Sequence, residues 1–173
     1  MQLGFILGIL ILVFWFLYNL SFARFGAPYV AMDPEVIKAV MKLADIKKGE
    51  IFYDLGSGDG RLVIAAALKG ARAYGIEINS LRVFYSRLWI RLLRLGKNAE
   101  IIHDNFFNVN LSATDIVCVF LLQSTNQLLK EKFWQELKPG TRIISYGFTF
   151  EGWQPEKSIL ADATFGFVLL YRR

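Results

Sequence analysis

The sequence is poor in the side chains from which many active sites are built. It contains one cysteine, Cys118, and one histidine, His103, in 173 residues. A single cysteine excludes an intramolecular disulfide framework and a cysteine-based zinc site, and its apolar neighbours predict that it is a small buried hydrophobe. The sequence also has no P-loop, nucleophile elbow, metal-ligand cluster, internal repeat or low-complexity tract.

Charge is missing from the start of the chain. Residues 1–23 carry no Lys, Arg, Asp or Glu, and residues 3–20 are nearly all aliphatic or aromatic. Such a run matches the ~20 residues that a helix needs to cross a bilayer core. It is too long, and lacks the basic start, for a cleaved signal peptide. We therefore predict one N-terminal transmembrane helix over residues 1–23.

The remainder, residues 24–173, contains every charged side chain and has the length of one domain. Basic residues follow the apolar run and no charged residue precedes it, so the positive-inside rule places this domain on the cytosolic side. The predicted protein is thus a single-pass membrane protein, located in the mitochondrial inner membrane if its source is eukaryotic. Its oligomeric state stays open.

Apolar runs alternate with helical patterns along the domain. Strands are predicted at residues 51–55, 71–76, 99–103, 115–120 and 141–146, and residues 158–161 and 165–171 form a predicted terminal hairpin. Strands that alternate with helices favour an α/β fold with a parallel sheet. We predict a Rossmann-like three-layer sandwich whose sheet is mostly parallel and ends in an antiparallel hairpin.

One helix is predicted over residues 80–95, and two interpretations of its surface are open. Its inward face is predicted to consist of Leu81, Phe84, Leu88, Leu92 and Leu95. Its arginines and nearby aromatic residues form either a solvated charged face, which we favour, or a surface for anionic lipid.

The most informative stretch is IFYDLGSGDG, residues 51–60. A predicted buried strand runs into a turn with Gly56, Gly58 and Gly60, and glycine lets the backbone approach a ligand closely. A dinucleotide-binding loop would place its third glycine where Arg61 stands, which disfavours a nicotinamide-dependent oxidoreductase. Asp54 and Asp59 add two carboxylates, which suit a cationic ligand better than a diphosphate.

Acids also follow the next two predicted strands. Glu77 comes 17 residues after Gly60, close to the ~20 expected for a carboxylate that binds ribose hydroxyls. Asp104 follows the third strand, where it could accept a hydrogen bond from an adenine amine, and Phe106 or Phe107 could stack on the ring. His103 is the only histidine, a residue type that commonly serves as a general base, but a structural role is the favoured interpretation.

The pattern D-x-G-x-G-x-G after a strand resembles motif I of the class I S-adenosylmethionine (SAM) methyltransferases. The longer stretch DLGSGDGRLVIAAALKGARAYGIEIN, with PYV before it and LRVFYSRLWIRL after it, resembles one branch of them. These are the membrane-anchored protein lysine methyltransferases that modify the ATP synthase c-subunit and the adenine nucleotide translocase, together with their prokaryotic relatives.

The resemblance implies SAM as cofactor and a lysine of a membrane-associated protein as methyl acceptor. Methylation of a lipid or small molecule, or a non-catalytic SAM-binding module, are the alternatives. A nucleic acid partner is not expected, because the net charge is only +5 and the basic residues of one helix are not predicted to form a groove. The predicted cofactor-binding residues are Asp54, Gly56, Ser57, Gly58, Gly60, Glu77, Asn79, Asp104 and Asn105.

The acceptor half is less clearly marked in the sequence. Tyr29, Gln123 and Tyr146 are candidates for lining the acceptor channel, although Ser124 or Thr125 beside Gln123 could simply cap a helix. No dedicated catalytic base is identified. Methyl transfer to an amine needs alignment and loss of water more than a base, and burial beside a cation already favours the neutral lysine amine.

Overall fold

The computed structural model describes Gly8, Ile9, Leu12 and residues 29–173. The predicted membrane anchor, residues 1–23, therefore lies outside the described residues except for those three, which have helical backbone. Within the described part of the chain, no helix is both long enough and apolar enough to cross a membrane. The chain divides into two compact units, Met1–Val30 and Ala31–Arg173.

The second unit contains four helices and seven strands within the described residues. β1 and β3 have the predicted bounds, and most other strand ends lie within one or two residues of prediction. The helices are α1 (Pro34–Ala44), α2 (Arg61–Leu68), α3 (Ser80–Leu92) and α4 (Gln123–Glu136). The strands are β1 (Ile51–Leu55), β2 (Arg72–Glu77), β3 (Ala99–His103), β4 (Ile116–Val119), β5 (Arg142–Tyr146), β6 (Lys157–Leu160) and β7 (Phe167–Arg172).

The seven strands form one sheet in the order β3-β2-β1-β4-β5-β7-β6. The first five strands are parallel, whereas β7 is antiparallel to both β5 and β6. The predicted parallel sheet and antiparallel hairpin are confirmed. The insertion of β7 between β5 and β6 was not predicted. It follows from burial, because the four central residues of β7 are buried while β6 is largely exposed.

Helices cover the two faces of the sheet unequally. Alternate strand residues such as Phe52 and Cys118 pack with α1, α2 and α3 on one face. The opposite residues, such as Val117 and Ile143, pack with α4 and with the loops around residues 106–111 and 150–153. We call these the three-helix face and the α4 face. Because α4 is the one described helix on its face, its buried side chains carry much of that layer.

The predicted orientation of α3 is wrong. Val83, Ser86 and Ile90 are buried, whereas four of the five residues predicted to face inward are exposed: Leu81, Phe84, Leu88 and Leu92. The cause is a close approach: a Cβ added to Gly60 would lie 3.0 Å from the Ser86 Cβ. A small side chain must therefore face the glycine loop, and this rotates the leucines outward. The helix also ends at Leu92 rather than at residue 95.

Adjacent leucines of α4 test its structural role. Leu129 is fully buried and Leu128 is 66% exposed. We expect Leu129→Ala to lower the free energy of unfolding by about 2–5 kcal/mol because it leaves a cavity. The same change at Leu128 should cost no more than about 0.5 kcal/mol. Urea unfolding followed by circular dichroism measures both, and equal costs would contradict the proposed packing of α4.

Candidate cofactor and active site

The glycine loop is bent back onto the end of β2. Its glycines have positive φ angles of 83° at Gly56, 55° at Gly58 and 80° at Gly60. The N–H groups of Gly56 and Ser57 both donate to the Ile76 carbonyl, at 2.9 and 3.0 Å. This backbone path requires left-handed conformations that only glycine adopts without strain. The loop is thus pre-formed at the carboxyl edge of the sheet.

Glu77 holds the loop in place. Its side chain is only 5% exposed. Oε2 accepts from the Gly58 N–H at 2.9 Å, and Oε1 accepts from the Asn79 N–H at 2.8 Å. Glu77 is therefore not a solvent-exposed residue at a strand end, which would be the alternative to a binding role. Each carboxylate oxygen keeps a lone pair for a further donor.

Asp54 is a second buried carboxyl group on the same face of the sheet. It pairs in register with Gly75, two residues before Glu77, and is 4% exposed. Burial, together with the negative charges of Glu77 and Asp59, raises the pKa of Asp54 to about 8. Within the part of the chain that the structure describes, no Lys, Arg or His forms an ion pair with Asp54.

Asp59, in the glycine loop, forms an ion pair with Arg61. The Nε of Arg61 donates to both of its carboxylate oxygens at 2.9 Å, and the same guanidinium donates to the Met32 carbonyl. This ion pair reduces the part that Asp59 was expected to play beside Asp54 in favouring a cationic ligand, although its charge still contributes to the raised pKa of Asp54. Asp54 and Glu77 are the buried carboxyl groups of this site that have no ion-paired cation among the described residues.

Asn79 connects Glu77 to the following helix. Its side-chain Oδ1 accepts from the N–H groups of Leu81 at 3.1 Å and Arg82 at 3.2 Å, so Asn79 is the N-cap of α3. Its own N–H is the one bound by Glu77. A helix cap of this kind is expected of asparagine. Glu77 therefore orders both the glycine loop and the start of α3.

The end of β3 brings the predicted adenine-site residues to the same edge. Asp104 Oδ1 accepts from the Asn105 N–H at 2.6 Å, and Asn105 Oδ1 accepts from the Phe107 N–H at 3.0 Å. These bonds shape a tight turn in which Phe106 is partly buried and Phe107 is exposed. His103 Nε2 lies 3.0 Å from the Ile78 carbonyl, which fits the structural role favoured for it.

On the acceptor side, Gln123 begins α4 and binds a neighbouring loop. Its Oε1 accepts from the Thr149 N–H at 3.2 Å. The N-cap position is Leu122, without a side-chain bond, so the suggestion that Ser124 or Thr125 caps this helix is wrong. Gln123 thus joins the end of β4 to the loop after β5.

Tyr146 ends β5 in an aromatic cluster on the three-helix face. Its ring centroid lies 4.5 Å from that of Phe120 and 5.8 Å from that of Phe165, and its hydroxyl donates to Asp162. Burial and the Asp162 hydrogen bond raise the pKa of the Tyr146 hydroxyl above its usual range. Tyr29, the third candidate, belongs to the first unit and is partly exposed.

Two residues at this edge were missed in the sequence. Asp162 organises the β6–β7 turn, because its Oδ1 accepts from the N–H groups of Thr164, Phe165 and Gly166 at 2.8–3.1 Å. Asn126 is fully buried and donates to Ser145 Oγ at 3.2 Å. A signal for Asn126 exists, since it shares the helical spacing of buried Leu129 and Phe133.

The residues present fit SAM. Two buried carboxyl groups without an ion-paired cation, Asp54 and Glu77, face the same loop. A ligand with an ammonium and a sulfonium would supply the missing positive charge. Ser57 also leaves its buried Oγ without a partner among the described atoms. The sheet and this loop define the class I SAM methyltransferases.

Comparisons with known proteins agree with that class. Residues 54–157 match the family described as the ANTKMT methyltransferase domain. A protein-lysine N-methyltransferase of Saccharolobus islandicus is 39% identical over 137 residues, which cover 78% of this chain and 85% of that protein. The adenine nucleotide translocase lysine N-methyltransferase of Mus musculus is 37% identical over 76% of this chain and 58% of its own length.

A solved structure is also similar across nearly the whole domain. It is described as an RNA methyltransferase from Salinibacter ruber in complex with S-adenosyl-L-homocysteine. It is 33% identical, with a TM-score of 0.77, covering 83% of this chain and 93% of that one. The chain belongs to the ANTKMT methyltransferase domain family and is a SAM-dependent methyltransferase, as the resemblance implied. It spans little more than half the length of the vertebrate relatives it matches, 55% for the human protein and 58% for the mouse protein.

Asp54 should make the cofactor-free protein less stable as the pH rises. Its pKa is about 8 in the folded state against 3.8 for an ordinary aspartate, so the folded state holds a proton that the unfolded state loses. Stability from this group is complete below pH 4, falls between about pH 4 and 8 by at most ~1.4 kcal/mol per pH unit, and is then constant.

The variant Asp54→Asn removes that dependence. We expect its melting temperature to equal that of the wild type near pH 4 and to exceed it increasingly towards pH 8. Subtracting the two melting curves at each pH cancels all other titrating groups. A constant difference across this pH range would contradict the raised pKa.

Proposed function

We propose that this protein transfers a methyl group from SAM to the side-chain amine of a lysine in another protein. The observation that carries the proposal is the 39% identity to a protein-lysine N-methyltransferase along 85% of that protein's length. The pair of buried carboxyl groups beside a pre-formed glycine loop supports the SAM half of the proposal. The choice of lysine as the methyl acceptor is supported by the names of the relatives and by the positions of Tyr146 and Asp162, which are described below.

We propose roles for the residues of the cofactor half. Asp54 and the loop backbone hold the methionine part, Glu77 the ribose and Asp104 the adenine. The support is their common position at the carboxyl ends of β1, β2 and β3, the edge at which ligands of such sheets bind. Asn79 and Asn105 act through their neighbours, because Asn79 caps α3 and Asn105 shapes the turn after β3. The complete proposed set is Asp54, Gly56, Ser57, Gly58, Gly60, Glu77, Asn79, Asp104 and Asn105.

When bound, SAM would supply an activated methyl group on a cationic sulfonium, whose methyl carbon a neutral amine would attack in line with the thioether as leaving group. The chain's own contribution is alignment and exclusion of water. The rings of Phe120, Tyr146 and Phe165 give the acceptor side a low dielectric, which disfavours a lysine ammonium and so favours loss of its proton to solvent before attack. Cys118 is buried with its thiol pKa raised by burial, so it remains neutral in the core of the three-helix face.

Tyr146 and Asp162 are the residues we propose to orient the acceptor lysine. Tyr146 lies on the same sheet face as Asp54, at the same edge and two strands away. Because its hydroxyl donates to Asp162, the hydroxyl oxygen is left as an acceptor for an incoming amine. Tyr29 and Gln123 remain weaker candidates for the same channel.

A second candidate acceptor is RNA. The observation that favours it is the similarity to the Salinibacter ruber protein described as an RNA methyltransferase. Methylation of a lipid or small molecule remains a further alternative. The chemical nature of the labelled product distinguishes all of these.

We also propose that residues 1–23 form a membrane anchor and that residues 24–173 form the methyltransferase domain on the cytosolic side, or on the inner mitochondrial membrane in a eukaryote. The support is the absence of charge over the first 23 residues of the sequence. An anchored enzyme reaches acceptors at the membrane surface, which fits a lysine of a membrane-associated protein.

SAM binding should depend on Glu77. We expect Glu77→Gln to weaken SAM binding at least about tenfold, ~1.4 kcal/mol, because the amide cannot accept from both the loop and a ribose hydroxyl through two carboxylate oxygens. Isothermal titration calorimetry with SAM measures the change. Glu131→Gln, an exposed glutamate of α4, is the matched control and should bind like the wild type. Equal affinity of all three proteins would remove Glu77 from the site.

Acceptor methylation should depend on Tyr146. With labelled SAM and membranes as acceptor, we expect label in protein that yields methyl-lysine on hydrolysis and resists nuclease and lipid extraction. Tyr146→Phe should lower kcat/KM for the acceptor roughly tenfold, ~1.4 kcal/mol, without changing SAM affinity. Tyr171→Phe makes the same change in the core of the α4 face and should leave activity intact. Label found in RNA or lipid instead would overturn the lysine proposal.

A further inference from the structure

The outer face of α3 is an apolar surface without a described partner. The outward leucines lie beside aromatic residues there. The rings of Tyr85 and Trp89 pack edge to face, with 6.1 Å between their centroids. Large apolar patches on a domain surface commonly mark a binding site. The side chains, each between 42% and 70% exposed, are Leu81, Phe84, Tyr85, Leu88, Trp89, Leu92 and Leu93. We call this set the α3 apolar face.

The α3 apolar face is directly opposite the side that packs on the sheet. At about 100° per residue, its centre lies roughly half a turn from the buried stripe of Val83, Ser86 and Ile90. The helix therefore has two apolar sides, one for the core and one that faces outward. An ordinary surface helix of a soluble domain has only the first.

All charges along this segment have one sign. From Ile78 to Ala99 the sequence contains five basic residues and no acidic one. On the helix, Arg82 borders the α3 apolar face on one side, while Arg87 and Arg91 border it on the other. Among the described residues, no carboxylate forms an ion pair with Arg91, Arg94 or Lys97.

A groove of about 500 Å³ runs along the side of the α3 apolar face that Arg87 and Arg91 border. The expectation that the basic residues of this helix form no groove is therefore wrong. Arg87 is fixed in the groove by two hydrogen bonds from its guanidinium to the Ile101 carbonyl, at 2.9 and 2.7 Å. The charged residues that line the groove are Arg87, Arg91, Arg94, Lys97 and Glu100.

We propose that α3 docks this domain onto an anionic phospholipid bilayer. The α3 apolar face enters the boundary between headgroups and acyl chains, and the flanking arginines bind lipid phosphates. Charge complementarity supports this choice of occupant. The helix has leucine, phenylalanine and tryptophan on one side, and its own charged residues are all cations, which is the composition of interfacial helices. Among the described residues, Glu100 of β3 is the one carboxylate that lines the groove.

The same features favour a bilayer over RNA or a protein groove. Four exposed leucines and a phenylalanine offer nothing to nucleic acid phosphates, which would need cations in their place. A protein partner would have to supply an acidic rim on both sides of an apolar groove. A bilayer with anionic headgroups offers an apolar interior and negative charge around it without further assumptions.

Docking through α3 would orient the candidate site. Ser86, on the inner side of the helix, donates to the Gly58 carbonyl at 3.0 Å, so the glycine loop lies directly behind the docking surface. Because α3 starts at the carboxyl end of β2, the outward residues of its first turns lie near the cofactor edge of the sheet. This proposal concerns where the domain binds and does not depend on which acceptor is methylated.

The test measures a local environment, because the apolar N-terminal segment of the full chain can itself bind vesicles. Cys118 is buried and is the only cysteine, so an introduced cysteine can be labelled selectively. The full chain carries an environment-sensitive fluorophore at Phe84→Cys, or at Leu128→Cys as the matched control. Vesicles of phosphatidylcholine, with or without phosphatidylglycerol, contain a quencher in the acyl region.

We expect the label at position 84 to shift to the blue and to be quenched several-fold on phosphatidylglycerol vesicles only, and the label at position 128 to stay unquenched. The double change Arg91→Glu and Arg94→Glu should abolish quenching. The same charge change at exposed Lys42 and Lys69, both to Glu, should not. High salt should weaken the effect.

Three results would overturn the proposal. Equal quenching at position 84 on neutral and anionic vesicles, or none on either, would exclude anionic lipid as the determinant. A blue shift without vesicles that rises with protein concentration would instead assign the face to a second copy of the chain. A blue shift of the label at position 84 on adding single-stranded RNA, but not on adding vesicles, would assign the α3 apolar face to nucleic acid.

Discussion

The carboxylate of Glu77 is the group on which the rest of the site depends. One of its oxygens holds the glycine loop through Gly58 and the other holds the start of α3 through Asn79. A buried charge is tolerated only where hydrogen bonds compensate it, and here the compensation comes from backbone N–H groups. Because both partners are backbone, the loop conformation and the helix position are set together before any ligand arrives.

The site keeps two carboxyl groups for which the fold supplies no cation among the described residues. Asp59 is paired with Arg61, whereas Asp54 and Glu77 have no ion-paired cation in the described structure. Burying Asp54 without a cation lowers the stability of the free protein above about pH 4, and a cationic ligand would favour its ionised form. At the carboxyl ends of β1 and β2, the protein thus gives up some stability in exchange for function.

Much of this architecture could be read in the sequence, and the exceptions have physical causes. The glycine loop, Glu77 and the parallel strands carry local signals, namely glycine spacing, strand-end acids and apolar runs. The orientation of α3 carries none, because two of its faces are apolar and only the contact of Ser86 with Gly60 decides between them. The Tyr146–Asp162 bond joins residues from different elements, so no periodicity could reveal it.

The position of β7 imposes an order on synthesis and folding. β7 is synthesised after both β5 and β6, yet it lies between them. While the chain is emerging from a ribosome, β6 has no strand to pair with and one edge of β5 is bare. Unpaired strand edges attract other chains. The nascent domain is consequently most exposed to aggregation in the interval just before its final six-residue strand emerges.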